Sequence, residues 1–324
     1  MRHHLPLVLT LLALCACNAQ APLQPAMQGT SNALTPAAAK SGRLFVSEPN
    51  TGDVYLYDVP SLNLVTILQT FHQPQGECAD NLGNVWVVDA GVDKIFKLDY
   101  AGKSIGELRD KRGTPYSCAW DGSTGNLAVT NSTVNRYSGA VLVYRQALGS
   151  PTIVRNPRQA TYDFDGYDQS GDLYVDGANY QGKFVLSEVI ARQRTAHSIS
   201  VSGAKIFLPG FVQWDAKSRL LDVGDQNCGN ARTTCIYQMH VLGKRAEIVN
   251  EIDLQSYKAS KVCDVVEAVI FSGNIYGSDD ESCGYAENAT YNWRYPAGGD
   301  PTQYAGKNLS APFGAAVAIN RSSF

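Results

Sequence analysis

A short apolar strand recurs six times along this chain at nearly constant spacing. The copies are RLFVSE from Arg43, NVWVVD from Asn84, NLAVTN from Asn126, DLYVDG from Asp172, LLDVGD from Leu220 and NIYGSD from Asn274. Successive copies start 41, 42, 46, 48 and 54 residues apart. Each follows a turn containing Gly or Ser, ends on a polar or small residue, and leads through a loop to a second alternating strand. In DVYLYD, for example, Val54 and Leu56 share one face and Tyr55 and Tyr57 the other. A unit of this length cannot bury both its faces alone, so neighbouring units must stack into one cooperative array.

Four short strands repeating every 40–50 residues or so is the arrangement of a β-propeller blade. In the second unit GECAD, NVWVVD, KIFKLD and SIGELRD supply the four strands from inner to outer. Copies two to six are each preceded by an inner-strand segment: PQGECAD, PYSCAWD, YDFDGYD, PGFVQWD and VVEAVIF. The first copy has none, and the missing inner strand, PFGAAVAIN, lies at the C-terminus. The expected fold is therefore all-β: a six-bladed β-propeller over residues 43–324, closed by pairing of the C-terminal strand with the N-terminal blade. Closure of this kind removes exposed sheet edges.

Residues 74–102, PQGECADNLGNVWVVDAGVDKIFKLDYAG, carry Pro-x-Gly, Asp, Gly-Asn, Val-Asp and Asp-Lys-Ile in the order shown by NHL-type repeats. The chain resembles that family, and more widely the six-bladed group that includes gluconolactonase-like hydrolases. The resemblance continues through residues 115–146 and 162–190 and loosens from residue 209. It implies the fold; activity has to be argued from a site.

The N-terminus, MRHHLPLVLTLLALCACNAQ, has a basic start at Arg2 and an apolar run from Leu5 to Leu14 that is too short to span a bilayer. It reads as an export signal. Leu14-Cys15-Ala16-Cys17 resembles a bacterial lipobox, which implies lipidation at Cys17 and a signal segment over residues 1–17; plain secretion with cleavage near residues 16–21 is the alternative. Asn18 resembles an outer-membrane sorting residue. Residues 18–42, rich in Ala, Pro, Gln and Ser, read as a flexible tether spanning about 28 Å as a coil. The expected location is the bacterial cell envelope, as an outer-membrane lipoprotein held to the membrane by its lipid anchor.

With 27 Lys and Arg against 30 Asp and Glu, the net charge is −3 and no block of like charge stands out. Nucleic-acid binding, which needs clustered cations against phosphates, is excluded as an expectation. Six cysteines remain beyond Cys15 and Cys17. An even number in an oxidising compartment reads as three disulfides, with 15 pairings open. Cys228 and Cys235 flank a short loop, Cys263 and Cys283 fall on one loop face, and Cys78 and Cys118 occupy nearly matching places on neighbouring inner strands.

Two polar sets could carry chemistry. Glu48, Asp89, Asn131, Gly177, Asp225 and Asp279 close the second strand of successive units; because they repeat with the fold they read as acceptors for backbone N–H groups in the following loop. The inner-strand residues Gln75, Glu77, Tyr116, Asp163, Asp165, Asp264 and Glu267 vary between units and read as the candidate site. The gluconolactonase resemblance implies a divalent cation such as calcium there, with a carboxylate assisting water attack on an ester; Glu77, Asp163 and Glu267 are the candidate ligands or base, and Gln75, Tyr116, Asp165 and Asp264 the candidate ligand-binding residues. The Asn-Gly pairs of that group are replaced here by Gln75-Gly76 and Tyr116-Ser117. Gly177–Lys183 has Walker-like spacing but is followed by Phe184 instead of a hydroxyl residue, and DFDGYDQSGD breaks the calcium-loop pattern. The functional expectation is a binding or scaffold module; a metal-dependent lactonase or esterase is the alternative.

Overall fold

The computed structural model describes residues 41–320 apart from 135–136, 192, 194, 232, 258–261, 280–287 and 307–308. Cys17, residues 18–40 of the expected tether and Cys283 lie outside the described residues.

The strands run in chain order. They are β1 (Gly42–Glu48), β2 (Asp53–Val59), β3 (Asn63–Leu68), β4 (Pro74–Ala79), β5 (Val85–Asp89), β6 (Lys94–Leu98), β7 (Ser104–Arg109) and β8 (Gly113–Trp120). Then come β9 (Leu127–Val134), β10 (Tyr137–Tyr144), β11 (Thr152–Val154), β12 (Asp165–Tyr167), β13 (Leu173–Ala178), β14 (Phe184–Val189), β15 (His197–Ser202) and β16 (Pro209–Asp215). The last eight are β17 (Leu220–Asp225), β18 (Cys235–Leu242), β19 (Arg245–Asp253), β20 (Val265–Phe271), β21 (Asn274–Asp279), β22 (Ala289–Arg294), β23 (Gly298–Gly306) and β24 (Ala315–Ala318). Helix among the described residues is limited to the 3₁₀ turns Arg145–Ala147 and Cys228–Asn230.

These strands form a propeller arrangement. Four sheets have four strands each: β24-β1-β2-β3, β4-β5-β6-β7, β8-β9-β10-β11 and β20-β21-β22-β23. The C-terminal strand pairs antiparallel with the first, Arg43 opposite Ala318 and Val46 opposite Ala315. Glu48 fastens this junction, its carboxylate accepting the backbone N–H of both Ser310 and Ala311.

The expectation of separate four-stranded sheets throughout is corrected in one place. A single eight-stranded sheet, β12-β13-β14-β15-β19-β18-β17-β16, stands where two were expected. Its halves are joined because Ser200–Ser202 at the end of β15 lies parallel to Arg245–Glu247 at the start of β19. Single parallel bridges repeat the arrangement on either side, Arg155 with Thr195 and Leu254 with Gly299. The end of one outer strand thus meets the beginning of the next around this part of the rim.

Packing follows the two-residue period of the strands. Val85 and Val87 of β5 join Phe45, Val54 and Leu56 in the core towards the first sheet. Trp86 and Val88 pack the other way, with Leu127, Val129 and Leu142 of the third. Each sheet is apolar on both faces, and each fully buried side chain of this size contributes about 1.5–3 kcal/mol of apolar transfer.

The polar residues ending the second strands are fully buried at Glu48, Asp89, Asn131, Asp225 and Asp279. They reach less to the following loop than to the segment entering the inner strand of the same sheet. Asp89 accepts the N–H of His72 and Gln73 as well as Gly91, Asp225 those of Phe207 and Leu208 as well as Asn227, and Asp279 those of Cys263 and Asp264. Glu48, Asp89, Asp225 and Asp279 therefore help set where their inner strands begin, whereas the Asn131 amide donates to Asp110.

Candidate functional site

The inner strands β24, β4, β8, β12, β16 and β20 surround the axis. Four carry a register shift against their neighbour: between Pro74 and Glu77, Pro115 and Cys118, Pro209 and Val212, and Val265 and Ala268. Such bulges bend a strand and re-aim its side chains. The register also aligns the inner strands, since Pro74, Pro115, Pro209 and Val265 each pair with the polar residue that closes the repeated second-strand motif, Asp89, Asn131, Asp225 and Asp279.

This alignment separates the candidate residues into tiers. Gln75 and Tyr116 share the tier nearest the face where the chain enters the inner strands. Ser117 and Glu267 lie one residue further along. Glu77 pairs with Val87 and Asp165 with Val175, each two residues before the residue that closes the repeated motif, Asp89 and Gly177, so these two share the third tier. Asp163 lies two residues nearer the entry face than Asp165, and Asp264 directly precedes β20.

A cavity of about 340 Å³ extends along the axis from the tier of Glu267 to the far face. Glu77, Asp165 and Glu267 line its inner part; Gln75, Tyr116, Asp163 and Asp264 do not line it. Aromatic rings separate the two groups. Tyr116 and Phe313 meet at 5.0 Å between centroids, Tyr116 and Phe164 at 5.5 Å, and Phe164 and Phe313 at 6.1 Å, filling the axis on the entry side. Close approach of the inner strands requires glycine at Gly76, where a Cβ would lie 2.7 Å from Ser117 Cα.

Glu267 is a junction. Its carboxylate accepts the Glu77 N–H at 2.9 Å, the Ser117 hydroxyl at 2.8 Å and the Ala315 N–H at 3.1 Å, tying β20 to β4, β8 and β24. Burial raises its pKa to about 7 against the pull of these donors. Glu77 and Asp165 are 3% and 5% exposed, and all four of their carboxyl oxygens are buried without a hydrogen-bond partner. Burial, and after it the charge of Glu267, holds both well above the ordinary carboxyl range. On the entry side burial lifts Asp163 to about 6, although Thr161 donates to it at 3.2 Å.

Towards the far face the cavity wall turns aromatic: Trp120, Tyr167 and Trp214, each half-buried, with Phe271 beside them. The polar inner-strand pattern does not reveal this collar. Its visible signal is the aromatic-Asp pair closing CAWD, DGYD and VQWD, where Asp121, Asp168 and Asp215 accept the N–H two residues on and so begin the turn. The wall also includes the Cys78–Cys118 disulfide, with Cα atoms 5.6 Å apart. Cys228 and Cys235 form a second disulfide, and Cys263 is disulfide-bonded as well.

The cation implied by the gluconolactonase resemblance does not fit this donor set. Calcium takes six to eight oxygens. Among the described residues the one group of three His, Cys or carboxylate ligand atoms lying within 4.8 Å of one another is Cys228, Cys235 and Glu251, whose sulfurs are already joined. The axial carboxylates do not converge to that degree.

No family model and no curated protein matches the sequence. Solved structures do match the fold. A chain of a nidogen/laminin complex is similar over 86% of this chain and 98% of its own, with a TM-score of 0.64 and 13% identity. A protein of unknown function from Bacteroides caccae is similar over 87% of this chain and 100% of its own, with a TM-score of 0.61 and 12% identity. The Cps50 (Swd1) β-propeller domain of Myceliophteria thermophila covers 84% of this chain and 86% of its own, with a TM-score of 0.52 and 13% identity. At such identities the similarity is one of fold.

Proposed function

We propose that this protein is a binding module of the bacterial cell envelope, exported and lipid-anchored at Cys17, whose ligand enters the axial cavity. The eight-stranded sheet counts in this reading as two blades, each an antiparallel four-strand meander with its own inner strand on the axis, which makes six. The observation that carries the reading is the pairing of two buried, unpartnered carboxyl side chains with an open aromatic collar in one cavity. Unpaired buried polar groups are costly, and a bound ligand, ion or ordered water that supplies the missing partner offsets that cost. The disulfides favour an oxidising compartment, in keeping with the export signal.

Two experiments test it. Cys17→Ser should release the protein from the membrane fraction of expressing cells, and unchanged membrane association defeats the anchor. A thermal-shift panel of cationic, neutral and anionic small molecules should contain a stabilising compound whose effect is lost in Trp214→Leu. No stabilisation by any class, or stabilisation indifferent to Trp214, defeats the axial site.

A further inference from the structure

The geometry points to an organic cation as the ligand of the axial cavity: an ammonium group on a small apolar body, its charge at Glu77 and Asp165 and its carbon skeleton in the aromatic collar. This rests on the reading of the cavity as the ligand site. Among the described residues three carboxyl groups line the cavity and no Lys, Arg or His does, so this wall supplies no counter-charge of its own. Glu267 is already engaged by three donors, whereas Glu77 and Asp165 offer four oxygens and hold none. A buried carboxyl in this state needs a proton or a positively charged donor. An ammonium brings both the charge and the N–H groups.

The remaining wall selects against an inorganic ion. Trp120, Tyr167 and Trp214 present ring surface, to which alkylammonium groups are attracted through the ring quadrupole. Ala79, Ala268 and Val269 add apolar surface and no oxygen ligand from their side chains. A hard cation entering here would lose most of its hydration without a replacement shell. At 340 Å³ the cavity is near the lower end of the range of about 300–1,000 Å³ usual for ligand pockets, which restricts the body to a small one.

The test is a titration of the full-length protein with n-butylammonium chloride, 1-butanol and calcium chloride, followed by tryptophan fluorescence and calorimetry. Butylammonium should bind saturably, 1-butanol at least tenfold more weakly, and calcium chloride should neither bind nor compete. Glu77→Gln and Asp165→Asn should each weaken butylammonium at least tenfold with the far-UV circular dichroism unchanged. Equal binding of the alcohol, displacement by calcium, or indifference of the ammonium to both substitutions in folded protein overturns the inference. The comparison with the alcohol needs no variant, so it decides the matter even if a substitution prevents folding. Stabilisation by a neutral or anionic compound that depends on Trp214 would sink the cation while leaving the site, whereas no effect from any compound would sink the site.

Discussion

The backbone N–H of Glu77 donates to Oε2 of Glu267 at 2.9 Å across 190 residues of sequence, while both oxygens of Glu77's own carboxyl have no partner. Two acidic residues one tier apart on the same axis are thus put to opposite uses. Glu267 holds inner strands together and Glu77 remains chemically available.

Removing the junction should therefore be costly. Glu267→Ala leaves the N–H of Glu77, the hydroxyl of Ser117 and the N–H of Ala315 without their acceptor. At about 1–3 kcal/mol for each buried donor orphaned, a loss of about 3 kcal/mol or more is expected in urea unfolding. A loss under about 1 kcal/mol would mean that the three bonds do not hold the inner strands.

Gly76→Ala should destabilise through contact alone. Its Cβ would lie 2.7 Å from Ser117 Cα and 2.8 Å from Ser117 Cβ, which two bulged inner strands cannot relieve without separating. Gly106→Ala is the matched control: on the exposed strand β7 its nearest contact would be Lys97 Cβ at 3.8 Å. Thermal melts should show a fall of several degrees for the first and little change for the second.

Stability should decline as the solution becomes more alkaline between about pH 4 and pH 7. Asp222 is fully buried among Tyr295, Gln238 and the neighbouring Asp215, and burial raises its pKa from 3.8 to about 7. The folded state keeps a proton on it over a range where the unfolded chain has lost one. Its stabilisation is therefore complete below about pH 4 and disappears as pH rises through about 7. One such group gives a slope of up to about 1.4 kcal/mol per pH unit. Glu267 and Asp163 act in the same direction. Asp222→Asn should flatten the profile of unfolding free energy against pH, and an unchanged slope would show that Asp222 titrates normally.

The two identified disulfides should differ in worth. Cys78–Cys118 links residues 40 apart and Cys228–Cys235 residues 7 apart. Loop-closure entropy assigns them about 4 and about 2 kcal/mol respectively. Paired Cys→Ser variants compared by denaturant unfolding should preserve that order. The reverse order would indicate that local packing outweighs the constraint on the unfolded chain.

The features legible in sequence are those fixed by residues close together in the chain. The spacing of RLFVSE, NVWVVD and their relatives specifies strand after strand because alternation and turn chemistry act within a few residues. The surplus inner strand at the C-terminus likewise identifies its own place beside Arg43, and Cys228 and Cys235 find each other across a short loop. The axial site depends on another kind of relation. Whether Asp163 or Asp165 lies level with Glu77 is decided by where the strands bulge, and one residue of slip carries a side chain to the opposite face of a sheet. Nothing near Glu267 in the chain announces that Glu77, Ser117 and Ala315 will turn their donors towards it, nor near Ser200 that Arg245 will lie alongside. Local sequence determined the strands and their order; only the convergence of inner strands from distant parts of the chain decided which carboxyls are occupied, which are left open, and where aromatic rings surround them.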